Sequence, residues 1–164
     1  MKRVLALLIL AAPLVAMADS PDATFYKKAA EGGISEVEAG NLAQSKGNSQ
    51  KVKDFGAMMV KDHSAANDKL KALATTKDVS LPTTSSVGQM ATKAKLEVLS
   101  GDTFDKSYIK GQVQAHQNTV ALFRKEIASG QDSDAQAFAK ATLPTIRSHL
   151  KAINAIAADA GVTK

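Results

Sequence analysis

The sequence predicts an all-α protein: a four-helix bundle with an extra short helix in the connection between helices 2 and 3, the periodicity leaving open whether that connection returns along the bundle or caps one end. Three observations lead there. Apolar residues recur in steps of three and four over most of the chain, the period of a helix with one buried face. Aromatics make up only 4% of the residues and β-branched runs are short, which leaves little material for a sheet. Turn-forming pairs divide the periodic stretch into four long segments and one short one, and long helices joined in pairs by short links build a bundle.

Taken in order, the chain opens MKRVLALLILAAPLVAMADS. Lys2 and Arg3 precede a short apolar run, and Ala16-Met17-Ala18 has the small-x-small pattern of a cleavage site. Residues 1–18 are therefore expected to be a signal peptide and 19–164 a single domain. The run is too short to span a bilayer, and no later apolar stretch is long enough, so no transmembrane segment is expected after cleavage. Losing Lys2 and Arg3 takes the formal charge from +5 to +3. A mildly basic, exported chain points away from nucleic acid as a partner. With no Cys there is no disulfide to staple the fold, and stability has to come from helix packing.

Helix 1 is expected from about Asp22 to Lys46, closed by Gly47-Asn48. Ser49 is positioned to cap helix 2, which runs to about Lys77. DVSLPTTSS then makes a loop around Pro82, and a short helix covers about Val87 to Leu99. Ser100-Gly101 ends it, and Asp102 is the expected cap of helix 3, which reaches Ala128. Ser129-Gly130 breaks the chain again, and Asp132 or Ser133 caps helix 4, which ends near Gly161. Pro144 falls inside helix 4, removes a backbone donor and predicts a kink.

The core-facing seam of each helix follows from the same period. Helix 2 reads Val52, Gly56, Met59, His63, Ala66, Leu70, Leu73. Helix 3 reads Ile109, Val113, His116, Val120, Phe123, Ile127, and helix 4 reads Ala135, Ala139, Thr142, Ile146, His149, Ile153, Ile156, Ala160. The chain has 3 histidines, and each lies on the seam of a different helix with an apolar residue three positions before it. Helix 1 has none; its seam reads Phe25, Ala29, Gly32, Glu36, Ala39, Ala43, with a carboxylate at the matching place, while Glu38 points away. Glu36, His63, His116 and His149 each stand near the middle of their helix. Midpoints share one level whether neighbours run parallel or antiparallel, so these four side chains are expected to converge.

Imidazoles with a carboxylate are ligands for a transition-metal ion such as zinc, iron, manganese or copper, and a cation would compensate a buried Glu. Asp62 is a candidate for orienting an imidazole from behind. The alternative is a buried polar network that fixes register. Met58, Met59 and Tyr108 read as packing. Phosphate loops, nucleophilic Cys and covalent haem attachment are excluded by the residues present.

The stretches FYKKAAEGGISEVEAGNLA, VKDFGAMMVKDHSAANDKL, LSGDTFDKSYIKGQVQAHQNTVALF and FAKATLPTIRSHL resemble the bacterial domain-of-unknown-function family 4142. The resemblance implies an exported, ferritin-like helical bundle, a label of predicted outer-membrane protein, and Glu36, Asp62-His63, His116 and His149 as signature polar positions. It places the chain in the periplasm with peripheral outer-membrane association. Where the family tends to have Asp-His-Glu, this chain has Ala115-His116-Gln117. The positions three before the histidines are Val60, Val113 and Ile146, so the paired Glu-x-x-His motif of di-iron bundles is absent. The readings, in order, are a metal-binding envelope protein, a non-metal structural or interaction protein, and a metal-dependent redox enzyme.

Overall fold

The computed structural model describes residues 21–162, and these form five helices and no strand. The signal peptide expected over 1–18 lies outside the described residues. The helices are α1 (Pro21–Lys46), α2 (Gln50–Thr76), α3 (Val87–Glu97), α4 (Gly101–Ser129) and α5 (Ser133–Asp159). α1 packs on α2 and on α4, and α5 packs on α4 and on α2. The four long helices thus enclose one interior, with α3 lying outside against α1.

Local chemistry sets the helix ends. Ser49 caps α2, its Oγ accepting from the Val52 N–H at 3.3 Å. Asp132 caps α5, its Oδ1 accepting from Asp134 and Ala135. Both caps match expectation: a short side-chain oxygen satisfies N–H groups that the first turn leaves free. Ser86 and Gln89 form a reciprocal capping box at the start of α3. α2 and α5 both end in a Schellman turn: Val79 N–H reaches the Ala74 carbonyl and Val162 N–H the Ala157 carbonyl, each at 2.9 Å. The residue that swings into the left-handed region is Asp78 in one and Gly161 in the other. One expected cap is corrected. α4 starts two residues earlier, with Ser100 at the N-cap position. Asp102 lies in the first turn, where its carboxylate instead accepts from the Asn48 amide at 2.8 Å. α5 continues through Pro144 without a break in helix.

The end-to-end bonds reveal how the chain travels. The buried Asp105 of α4 accepts from the backbone N–H groups of Asn48 and Ser49 at 2.9 and 2.8 Å, so α4 begins beside the α1–α2 turn. Asp22 of α1 accepts from the N–H groups of Gln131 and Asp132 at 2.8 and 3.1 Å, so the α4–α5 turn sits at the opposite end. α2 finishes at that opposite end too, where Lys77 pairs with Asp132 at 3.0 Å. Residues 77–100 therefore travel the length of the molecule before α4 sets off again. α1 runs antiparallel to α2 and α4 and parallel to α5. On the way the connection is held to α1 by Ser85 donating to Glu38 at 3.1 Å and by Lys93 pairing with Glu38 at 3.6 Å.

The interior divides into two apolar clusters. One includes Phe25, Leu70, Phe123 and Ile146, with the Phe25 and Phe123 rings edge-on at 5.0 Å. The other includes Phe55, Met59, Ile109 and Ile153. Along α2, Met59 and Leu70 bracket His63. Along α4, Ile109 and Phe123 bracket His116. Along α5, Ile146 and Ile153 bracket His149. On α1, Ala30 of the first cluster and Ala43 of the second bracket Glu36. The polar groups form a layer between two dry halves.

The seam on α4 is rotated slightly from expectation. Gln112 and Glu126 are buried, whereas Val113, Val120 and Ile127 are half-buried. At the end of α5, Ala160 is exposed rather than core-facing, because α5 ends at Asp159 and the Schellman turn carries the chain outward. Gly40 and Gly56 mark where α1 and α2 come closest: a Cβ on either would stand 2.7 Å from the other's carbonyl oxygen.

Candidate metal centre

His63, His116 and His149 are 8%, 1% and 2% exposed, and they form a nearly equilateral triangle. Ring centroids are 5.8 Å apart for His63–His116, 5.4 Å for His63–His149 and 5.6 Å for His116–His149. One ligand-capable nitrogen from each lies within 4.8 Å of the other two. Three such atoms share a point no further than about 2.8 Å from each, against about 2.0–2.1 Å for a zinc–imidazole bond, so an inward shift of under about 1 Å would close the shell.

For His116 and His149, which nitrogen keeps its lone pair follows from the outer hydrogen bonds. His116 Nδ1 lies 3.0 Å from the Gln112 carbonyl. A carbonyl only accepts, so Nδ1 carries the hydrogen and Nε2 keeps its lone pair. His149 Nε2 lies 2.9 Å from Asp62 Oδ2, which puts the hydrogen on Nε2 and the lone pair on Nδ1. His63 Nε2, His116 Nε2 and His149 Nδ1 are all buried with no hydrogen-bond partner. Backbone carbonyl and carboxylate supports of this kind hold the rings of metal-ligating histidines. Phe55 packs edge-on against His116 at 6.0 Å and limits its tilt.

Burial favours the neutral form of two of the rings, His63 and His149. Burial, reinforced by the nearby His116 and His149, holds the His63 imidazole down to about 3. Burial also lowers His149, opposed by its bond to Asp62 and further lowered by His116. Neutral imidazole is the form that binds a metal.

Glu36 is 6% exposed. Its Oε2 has no partner. Burial raises its carboxyl above the usual range, opposed by the adjacent His116 and by a hydrogen bond from the Gln112 side chain. It stands beside the imidazole triangle; the converging ligand atoms are those of the three histidines. Tyr108, also buried, leaves its hydroxyl unpartnered, and burial together with Glu36 pushes its pKa well up. Asp62 supports His149 on the neighbouring helix rather than His63 beside it in sequence. Gln112 was not legible as part of the site: it works through its backbone carbonyl on one side and its amide on the other, and periodicity carries no signal for either.

The matching family model, Domain of unknown function (DUF4142), covers residues 10–156. This chain belongs to the DUF4142 family. No curated protein matches it. Among solved structures it is similar to a candidate secreted protein of DUF305 from Streptomyces coelicolor, with a TM-score of 0.74 and 16% identity over 90% of this chain and 98% of the other. A DUF305 fragment from Deinococcus radiodurans gives a TM-score of 0.72 and 10% identity over 83% and 94%. At such identities the likeness extends to the helical fold and no further. Among the described residues no helix is long and apolar enough to cross a membrane.

Proposed function

We propose that this DUF4142 protein is an exported, ferritin-like four-helix bundle that binds one transition-metal ion at mid-height. His63, His116 and His149 are its ligands, Glu36 supplies the negative charge beside them, and Asp62 supports from outside. The observation that carries this reading is the convergence of three buried histidines whose ring nitrogens His63 Nε2, His116 Nε2 and His149 Nδ1 have no hydrogen-bond partner. A self-contained polar network would pair each polar atom with a partner; here none of the three buried ring nitrogens has one, an arrangement that is costly in a dry core and that a cation relieves. An all-imidazole set with one carboxylate and no thiolate suits zinc, copper or iron better than calcium or magnesium, which prefer shells of oxygen. Export rests on the leader-like residues 1–18. We read any envelope association as peripheral contact, which is supported by the absence, among the described residues, of a helix long and apolar enough to cross a membrane.

The test is elemental analysis of untagged protein purified from the periplasm, beside a His63→Ala/His116→Ala variant. The expected result is close to one metal per chain in the parent and none in the variant. A saturating metal at about a hundredfold its Kd would also raise unfolding stability by about 2.7 kcal/mol in the parent alone. A parent protein that neither retains metal nor gains stability from zinc, copper or iron would overturn the assignment.

A further inference from the structure

A three-imidazole shell can be closed by a fourth protein ligand or left open to an exchangeable one, and the surroundings of the triangle bear on which. A cavity of about 40 Å³ adjoins the site. His63, His149 and Glu36 are in its wall, together with Thr119, Thr142 and Thr145. His116 is not, so the cavity lies to one side of the triangle rather than around it. The Glu36 carboxylate that borders this space is almost wholly buried and its Oε2 has no partner. The Gln112 amide already occupies the other side of that carboxyl group.

We infer that the fourth coordination position is open and takes a small, neutral protic oxygen ligand (water or hydrogen peroxide), with Glu36 Oε2 accepting its hydrogen bond. The inference rests on the metal reading above and extends it to the class of molecule the site exchanges. Size sets the class. At roughly 10–15 Å³ for each enclosed water, the cavity takes a ligand of two or three heavy atoms and excludes organic metabolites. Polarity selects a donor. In a wall otherwise made largely of apolar side chains such as Leu70, Phe123 and Ile146, an unpaired buried carboxylate oxygen is satisfied by an O–H and repels an anion. Three protein ligands plus one exchangeable position is the arrangement of catalytic rather than structural sites.

The experiment uses the protein loaded with Co(II), whose visible absorption reports coordination directly, and azide as the probe for an exchangeable position. Azide is expected to change the spectrum saturably. In Glu36→Gln, with the repelling charge removed, azide should bind about tenfold more tightly, while Co(II) weakens by less than about a hundredfold, as for a group that touches the metal only through its ligand. If Co(II) binds the parent but azide leaves the spectrum unchanged, and Glu36→Gln weakens Co(II) a hundredfold or more, Glu36 is itself the fourth ligand. The open-site inference is then wrong while the metal site stands. Failure of the parent to bind Co(II), zinc, copper or iron overturns the metal reading, and this inference with it. Should Glu36→Gln fail to fold, the azide titration of the parent decides alone.

Discussion

The two helical hairpins, α1–α2 and α4–α5, are built to the same plan and diverge in instructive ways. Each turn is three residues long, and each is tied down by an aspartate from the first turns of the other hairpin's leading helix. Asp105 takes the N–H groups of Asn48 and Ser49, and Asp22 takes those of Gln131 and Asp132. This exchange locks the hairpins together at both ends and holds the four polar positions at one level between them. The ends differ in charge. At the α4–α5 turn a second acid, the buried Glu126, lies within hydrogen-bonding reach of Asp22, and burial with the Asp22 and Asp132 charges pushes its carboxyl up to about 7. Nothing comparable is present beside Asp105 among the described residues. The hairpins differ in closeness too, since only α1 and α2 meet glycine to glycine. A shared hydrogen-bonding device therefore has different electrostatic consequences at the two ends, and neutral pH bears on one of them.

The largest expected effect that probes this comparison is at the tethers. Asp105→Ala strands two N–H groups that a carboxylate now satisfies and should cost about 3 kcal/mol in chemical denaturation. Asp22→Ala strands two as well but also removes the negative charge beside Glu126. At pH 8 it should cost about 1–2 kcal/mol less than Asp105→Ala. Equal losses would mean that the ends are electrostatically alike after all.

Next in size is the close approach of α1 and α2. Gly56→Ala would put a Cβ 2.7 Å from both the Gly40 carbonyl oxygen and the Ala43 Cβ. Separating the helices should cost about 2 kcal/mol in thermal or chemical unfolding. Gly111→Ala on the second hairpin meets nothing within 4 Å, and replacing a mid-helix glycine there should instead stabilise by about 0.5–1 kcal/mol. The two substitutions are expected to have opposite signs.

The smallest effect is on pH dependence. Glu126 has a folded pKa of about 7, above its ordinary 4.5. The folded state therefore holds a proton that the unfolded state releases first. The associated stability is fully present below pH 4.5 and is lost as pH rises through 7. Glu126→Gln keeps the shape without the titration. It should flatten that stretch of the stability–pH curve and raise stability at pH 8, by an amount on the order of 1–2 kcal/mol. A parent curve equally steep in the variant would assign the slope elsewhere.

Much of this architecture was legible in advance for a simple reason. Helical periodicity is a local property: it states which way a side chain faces and how far along its helix it stands, and those two coordinates suffice to place His63, His116, His149 and Glu36 on one buried layer. The caps at Ser49 and Asp132 are equally local. The Asp102 cap was misread because Ser100 occupies the N-cap position and Asn48, distant in sequence, claims that carboxylate. Asp22, Gln112 and Glu126 escaped notice because apolar periodicity scores polar residues as outward-facing, whereas here they are buried against backbone donors, imidazoles or one another.

By itself the sequence determined five helices, their ends to within a residue or two, and the facing of three histidines, since backbone hydrogen bonding and side-chain period act over neighbours in the chain. The tertiary structure alone decided the path of residues 77–100 along the bundle, the pairing of Asp62 with His149 instead of His63, and the direction of the His116 and His149 lone pairs. Those depend on partners some 50 to 110 residues away or on ring tautomers set by hydrogen bonds, and a pattern with a period of 3.6 residues contains no information about either.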